Sequence, residues 1–236
     1  MARSSRPGLP AVVTLTAVTE SGDGSVLFIG APTTQATTLA DAVDSSIVLS
    51  TPAPPDTPTW SWNWRETIEA WRASVADGPL VDQVVVCTWP SSVSITPVIE
   101  LEPSEWRAQV EWPLALWFQA LAVATQRCAD GGSVVVVVEI PAAVDSVGQG
   151  AVVAVAEGIE ALVRSLAASE GRRSVRVNAV TTELFTAPDL LPGAPPPLPT
   201  FPGRIDVDVA GAVRLLLSPA SVGITGTSLR AAGGRS

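Results

Sequence analysis

The chain contains no histidine, no tyrosine and no lysine, and all fourteen of its basic residues are arginine. Its two cysteines, Cys87 and Cys128, stand far apart in the sequence. Zinc and most transition-metal sites need histidine or closely spaced cysteines, so we expect no metal site. Two separate thiols are also typical of a reducing compartment, which predicts a cytoplasmic protein.

Positive charge is scarce as well. The 14 arginines are outnumbered by 23 acidic residues, and the formal net charge at pH 7 is −9. Nucleic acids and anionic membrane surfaces are bound through clustered basic residues, and the sequence shows no basic patch. It also has no run of about 18 apolar residues, the length that spans a bilayer. We therefore expect neither nucleic acid nor a membrane as a partner.

The N-terminus has arginines followed by an apolar run, but Pro7 and Pro10 interrupt it and threonines dilute it. A secretory signal needs a continuous apolar segment. We interpret residues 1–24 as an N-terminal extension, and the β-branched run at residues 11–18 fits an edge strand within it.

The length of 236 residues suits a single α/β domain, residues 1–236, with a large core. Hydrophobic residues make up 47% of the chain and charged residues only 16%. This apolar content exceeds what one core usually needs, which predicts that part of the surface meets another subunit.

The central stretch of the sequence, residues 131–180, has a strand-helix-strand pattern. Val134 to Val138 is an unbroken β-branched run, which favours a strand buried on both faces of a parallel sheet. Residues 149–169 are small and aliphatic with few breakers, as in a helix, and residues 175–180 return to a strand-like run. Together they predict one βαβ unit.

Similar patterns on either side extend this unit. SVLFIGAPTTQATTLADAV predicts a strand, a turn and a helix, SIVLS a second strand, RETIEAWRASVADG a helix, and LVDQVVVCTWP a further strand. Residues 114–128 and 206–217 predict two more helices, with Pro103 and a Ser104 N-cap opening the first of these helical regions, and residues 224–229 a last strand. The fold class is α/β: a Rossmann-like, doubly wound parallel sheet in a three-layer α/β/α arrangement.

Four segments carry a family resemblance: GGSVVVVV, EALVRSLAASEG, SVRVNAV and GAVRLLLSPASVGITGTSLRAAGG. Their order and spacing resemble a short-chain dehydrogenase/reductase (SDR) of the 3-oxoacyl-carrier-protein reductase type. The resemblance implies hydride transfer with a nicotinamide dinucleotide and a catalytic tetrad of Asn, Ser, Tyr and Lys. It also implies that the first half is truncated, because the family's third strand has no counterpart here.

The resemblance places the tetrad on four residues that cannot perform its chemistry. Counting back from LVRSLA, the Tyr falls on Val152 and the Lys on Ala156, while the Ser falls on Glu139 and the Asn on Pro113. The chain has no Tyr and no Lys, so no shift of the alignment restores YxxxK. Arginine is a poor proton relay because its pKa exceeds 12. An ordinary SDR mechanism is therefore excluded.

The cofactor motifs of the family are degraded in the same way. Of the glycines in the phosphate loop only Gly30 remains, and the later two correspond to Thr34 and Ala36. The NNAG segment reads Val86, Cys87, Thr88 and Trp89, with the Trp ring in place of a glycine beside the nucleoside. Side chains at these positions keep the backbone away from a pyrophosphate, so we expect no dinucleotide cofactor.

Two further expectations follow from the resemblance. The Pro-rich segment at residues 186–204 stands in place of the family's substrate lid, because its prolines oppose a helix. Helices 114–128 and 149–169 correspond to the pair that forms an SDR dimer. The second helix has too many aliphatic residues for one buried stripe, which supports an interface: Val152, Val153, Val155, Ala156, Ile159, Leu162 and Val163.

Three functions remain open. The first is a catalytically inactive SDR-like subunit that pairs with an active SDR dehydrogenase or reductase in a hetero-oligomer. The second is an SDR-fold enzyme repurposed for non-redox acid/base chemistry, as an isomerase, dehydratase or cyclase, with Glu139 as the titrating group. The third is a ligand-binding regulator or a homo-oligomer of another role.

Overall fold

In the computed structural model, residues 24–53, 63–88, 96–141, 147–183 and 204–231 are described. They form one six-stranded sheet in the order β2-β1-β3-β4-β5-β6, in which every neighbouring pair is parallel. The predicted fold class is thus confirmed. The N-terminal extension up to residue 23, the Pro-rich segment at residues 186–203, and Trp89 lie outside the described residues.

The strands run from the amino edge to the carboxyl edge of the sheet. Their bounds are β1 Val26–Gly30, β2 Ile47–Ser50, β3 Val81–Cys87, β4 Cys128–Glu139, β5 Arg176–Thr182 and β6 Ser228–Arg230. The valine run at residues 134–138 lies in β4, between β3 and β5, and is buried as predicted. Among the described residues no strand lies beyond β2, in agreement with the truncated first half.

Within the described ranges, six α-helices lie between the strands. They are α1 Thr34–Ala42, α2 Asn63–Val75, α3 Pro103–Trp106, α4 Trp112–Arg127, α5 Gly150–Glu170 and α6 Ala210–Leu217. Wider π-type turns at Arg107–Glu111 and Ile205–Val209 lead into α4 and α6. The helix after β2, the α4–α5 pair and the last helix therefore occur close to where the sequence places them.

Three predicted boundaries are wrong. Pro103 does open its helix, but the N-cap is Glu102 rather than Ser104, and Glu105 accepts a hydrogen bond from the Glu102 backbone N–H at 2.9 Å. The last helix begins as the π-type turn. The last strand begins at Ser228 instead of residue 224, because the side-chain amide of Asn178 holds the preceding loop by donating to the Ile224 carbonyl at 2.9 Å.

The side chains of each strand alternate between two cores, as the period of two in a strand requires. Val134 and Val136 pack with α2, α4 and α5 on one face of the sheet. Val135 and Val137 pack with α1 and α6 on the other face. The sheet is thus covered by helices on both sides, which gives the predicted three layers.

The aliphatic residues of α5 are mostly absorbed by the chain's own core. Val155, Ala156, Ile159 and Val163 are buried against the sheet and α4. The remaining aliphatic residues, Val152, Val153 and Leu162, are partly exposed. Three of the seven aliphatic residues thus stay partly exposed, and an interface on this helix stays a prediction.

Arginines close the amino edge of the sheet, where α1, α2, α4 and α6 end. Each of these helices has a carbonyl oxygen near its C-terminus that accepts from an arginine of another element. The pairs are Arg214 with Ala42, Arg127 with Val75, Arg173 with Thr125, and Arg176 with Leu216. Part of the arginine content thus serves the fold rather than a ligand site.

Candidate functional site

The carboxyl ends of the strands meet at one edge of the sheet, which is where ligands bind in open α/β folds. The ends of β1, β3, β4 and β5 are Gly30, Cys87, Glu139 and Thr182. Of the positions that the sequence assigned to cofactor motifs, Gly30, Val86 and Cys87 lie here, next to the start of α1. The structure thus brings these motif positions together at one edge.

Three of the four tetrad positions carry only hydrocarbon groups. Ala156 is 1% exposed and packs inside the core between α5 and the sheet. Val152, one helical turn earlier, is partly buried, and so is Pro113 in the first turn of α4. None of these side chains contains a donor or an acceptor, so none can move a proton.

The fourth tetrad position, Glu139, is a buried carboxyl at the end of β4. It is 6% exposed and shares a strand face with Val135 and Val137, towards α1 and α6. Burial raises the pKa of the neighbouring Cys87 thiol well above its ordinary value, and the charge of Glu139 raises it further. Glu139 therefore belongs to a tightly packed interior rather than to an open cleft.

A second buried carboxyl, Glu183, directly follows β5 and was missed by the sequence analysis. Glu139 is paired with Thr182 in the β4–β5 register, and Glu183 directly follows Thr182. The Glu183 side chain is 1% exposed and forms an ion pair with Arg230 of β6, which is 51% exposed. An acidic residue immediately after an apolar strand run was the available signal for this pair.

The turn after β1 is packed tightly against β3. A Cβ atom at Gly30 would lie 2.5 Å from Phe28 Cε1 and 2.8 Å from the Cys87 carbonyl oxygen. The Ala31 N–H donates to that same carbonyl at 3.3 Å. Only glycine fits here, so the presence of Gly30 is explained by contacts within the chain.

The first turn of α1 is capped from within the chain. Thr33 Oγ1 accepts a hydrogen bond from the Ala36 N–H at 3.1 Å, as an N-cap does. The Thr34 side chain is exposed at the start of the helix, and Ala36 is buried against the sheet. One of the N–H groups that a bound anion would use is therefore already occupied.

Beside this turn, two buried hydroxyl groups have no hydrogen-bond partner among the residues that the structure describes. Thr51 Oγ1 follows β2 and Thr88 Oγ1 follows β3, and the two residues are 3% and 4% exposed. The Thr51 backbone N–H donates to the Gly30 carbonyl at 2.8 Å, which places Thr51 next to the β1 turn. Val86 and Cys87 are fully buried in the sheet.

The described ranges hold no group of three or more metal-ligating side chains. Within them, no helix is both long and apolar enough to cross a bilayer. A groove of about 380 Å³ lies between the first halves of α2 and α4 rather than at the strand ends, and it is lined by Arg65, Ile68, Glu69, Glu111, Ala115, Phe118 and Gln119. The titratable residues of this groove are Arg65, Glu69 and Glu111.

Comparison with known proteins decides the family. Residues 69–190, just over half of the chain, match the family model described as enoyl-(acyl carrier protein) reductase. The chain belongs to the short-chain dehydrogenase/reductase family. No curated protein matches it closely enough to assign a relative.

Solved SDR structures share the fold at low identity. A short-chain dehydrogenase/reductase from Serratia marcescens is 17% identical, with a TM-score of 0.59 over 89% of this chain and 97% of that one. Acetoin dehydrogenase from Enterobacter cloacae is 15% identical, with a TM-score of 0.63 over 91% and 96%. BdcA, solved in complex with NADPH, is 17% identical, with a TM-score of 0.63 over 89% and 93%.

The SDR fold implies a nicotinamide dinucleotide, and the residues present do not fit one. Thr34 and Ala36, which the resemblance places at glycines of the phosphate loop, carry side chains, and the Ala36 N–H donates to Thr33 Oγ1. Gly30 is accounted for by its contact with Cys87. No step of a reaction is therefore assigned to a dinucleotide in this chain.

Proposed function

We propose that this chain is a non-catalytic SDR subunit that assembles with a catalytically intact SDR partner. The observation that carries the proposal is the burial of Ala156 in the core. The sequence resemblance aligns this residue with the family's proton-relaying lysine. Another lysine would have to take over the proton relay, and the chain contains no lysine. A chain that keeps an SDR fold without SDR proton transfer fits a supporting role.

The outer surface of α4 and α5 supports the assembly part of the proposal. Phe118 on α4 is 55% exposed, a large apolar group with little cover. Along α5 the outward residues include small ones, Ala154, Gly158 and Ala161, beside the charged Glu157 and Arg164, and Gly158 lies next to Leu114 of α4. Small residues let a second helix approach closely, and an exposed aromatic residue is a typical anchor of an interface.

Co-expression tests the proposal. The chain is produced with catalytically intact SDR proteins of the same genome, and each purified sample is sized by light scattering. We expect a stable complex with one of them. Phe118→Arg is expected to dissociate it, because burying an unpaired guanidinium is costly.

Leu80→Arg is the matched control. Leu80 is 62% exposed and directly precedes β3, at the amino edge of the sheet. This variant should leave the complex intact. A chain that never forms a complex and turns over a substrate alone would contradict the proposal, as would equal dissociation by both variants.

The second candidate is non-redox acid/base catalysis, and the specific observation in its favour is the buried carboxyl of Glu139 at the carboxyl end of β4, the edge where ligands bind in open α/β folds. Glu139→Gln distinguishes the candidates. Loss of an isomerase, dehydratase or cyclase activity with unchanged melting would support catalysis, whereas unchanged properties of the hetero-oligomer would support the subunit role.

A further inference from the structure

The groove between α2 and α4, of about 380 Å³, has carboxyl groups from both helical segments. Glu69 lies on α2 and Glu111 lies directly before α4, and both residues are exposed. Arg65 of α2 also lines the groove. One guanidinium thus accompanies two carboxylates, and the groove keeps a net negative charge.

Beneath these charges the groove is apolar, and the two helices are joined beside it. Ile68 of α2 is 2% exposed and packs with Trp112 and Leu116 of α4 in a cluster separate from the two cores of the sheet. Arg72 Nη1 of α2 donates to Gln119 Oε1 of α4 at 2.7 Å. These contacts fix the walls of the groove before any partner binds.

Phe118 adds an exposed aromatic ring to this groove. Its side chain is 55% exposed, although phenylalanine is among the residue types most often buried. Phe118 also lies on the outer surface of α4 that supports assembly, so the groove borders that surface. An aromatic face attracts a cation and a carboxylate pairs with it, so the two together favour a positively charged group.

The chain that leads into α4 is acidic as well. Between residues 100 and 111 it has four glutamates and one arginine: Glu100, Glu102, Glu105 and Glu111 against Arg107. The whole chain has a formal net charge of −9. A surface of this sign attracts a basic group of a partner and repels an acidic one.

We propose that the groove between α2 and α4 binds an arginine side chain of the SDR partner subunit, an inference that rests on the subunit role proposed above. Arginine fits better than lysine, because its planar guanidinium stacks on an aromatic ring and donates two N–H groups to one carboxylate. Its hydrocarbon stem suits the apolar floor. A carboxylate in the same position would be repelled by Glu69 and Glu111.

Removal of the two charges in the complex tests the proposal. Glu69→Gln combined with Glu111→Gln keeps the size of both side chains. We expect this double variant to bind the partner subunit about 10-fold or more weakly, with an affinity that depends less on salt. Asp41→Asn is the control, because Asp41 is exposed on α1, on the other face of the sheet, and should leave the affinity unchanged. Equal affinities of the parent and the double variant would overturn the proposal and leave the subunit role intact.

A small probe tests the groove without the partner. N-acetyl-L-arginine amide is titrated into the isolated chain while NMR follows the backbone N–H signals of Phe118 and Gln119. We expect saturable shifts, with binding about 3-fold or more weaker in the double variant, and none with the neutral N-acetyl-L-citrulline amide. Saturable arginine binding in a chain that forms no complex with any SDR protein would refute the subunit role and support the guanidinium site. Equal shifts from both probes, or from neither, would overturn the site.

Discussion

Gly30 and Cys87 are in such close contact that a Cβ atom at Gly30 would lie 2.8 Å from the Cys87 carbonyl oxygen. In an SDR sequence, a glycine at the end of the first strand is easily interpreted as the remainder of a phosphate-binding loop. The contact offers another reason for its presence. The glycine is needed for the packing of β1 against β3 whether or not a cofactor binds.

Gly30→Ala should therefore destabilise the fold. Forcing a methyl group into a packed interior typically costs about 1–3 kcal/mol, which corresponds to a fall in melting temperature of roughly 2–12 °C for a domain of this size. Gly211→Ala in α6 is the control, because a Cβ atom there meets nothing within 4 Å. Equal melting temperatures for the two variants would show that the Gly30 contact is not restrictive. Calorimetry or circular dichroism provides the measurement.

Arg127→Lys should also lower stability, although it keeps the charge. Arg127 is 4% exposed and donates from Nε to the Pro79 carbonyl and from Nη1 to the Val75 carbonyl. Lysine cannot present two donors in this fixed fork, so at least one buried carbonyl loses its partner, at a cost of about 1–3 kcal/mol. Urea unfolding measures the change.

The control for that substitution is Arg164→Lys on α5. The Arg164 side chain is 57% exposed and lies near Glu160 at 3.8 Å. Exposed pairs of this kind contribute about 0.5 kcal/mol or less. A loss of stability at Arg164 as large as that at Arg127 would mean that arginine is required for a reason other than its carbonyl contacts.

The two cysteines should resist thiol reagents while the chain is folded. Burial raises the pKa of Cys128 to about 12, and burial together with Glu139 raises the pKa of Cys87. At pH 8 both stay protonated and unreactive. We expect no thiol to react within minutes in native buffer and two to react in urea. Rapid reaction of either thiol in the native protein would contradict the described burial.

The same pKa shifts set the direction of a pH dependence. A thiol whose pKa is higher in the folded state stabilises the fold fully below its unfolded pKa, and this contribution is lost as pH rises through the folded value. For Cys128 the window runs from about 9 to about 12. Urea midpoints should fall across this window, and Cys128→Ala should reduce the fall.

Val153 and Val155 should respond differently to arginine. Val155 is 8% exposed and packs in the core of its own chain, whereas Val153 is partly exposed on the other side of α5. Val155→Arg should unfold the chain, because the core offers no partner for the charge. Val153→Arg should keep the melting temperature and weaken any assembly across α5. Identical behaviour of the two variants in melting and light scattering would contradict this assignment.

The sheet and helices were predictable because periodicity and β-branched runs are local signals. The valines at 134–138 and the helix at 149–169 needed no tertiary information. Two contacts did need tertiary information, because each joins segments far apart in sequence. They are the ion pair of Glu183 with Arg230 and the hydrogen bond from Trp71 Nε1 to the Ser50 carbonyl. The share of the α5 aliphatic residues that the core covers was not predictable for the same reason: the sequence does not show how much apolar surface the sheet offers them.

The predicted site positions have a mixed outcome. The structure brings Gly30, Cys87 and Glu139 to one edge of the sheet and buries Ala156 in the core, while their assignment to family motifs stays a prediction. The close contact between Gly30 and the Cys87 carbonyl also explains why a glycine occurs there, and no sequence motif indicates this contact. Whether the chain lacks catalysis stays a prediction, since it depends on what these residues do in solution.

Calorimetric titration of the isolated chain with NADPH, and separately with NADH, tests the central claim most directly. Thr34 and Ala36 replace the glycines of the phosphate loop, and the Ala36 N–H is bonded to Thr33. The account predicts no saturable heat up to millimolar cofactor. Saturable binding of either cofactor with a dissociation constant in the micromolar range would contradict it, because the edge of the sheet would then be a working SDR cofactor site.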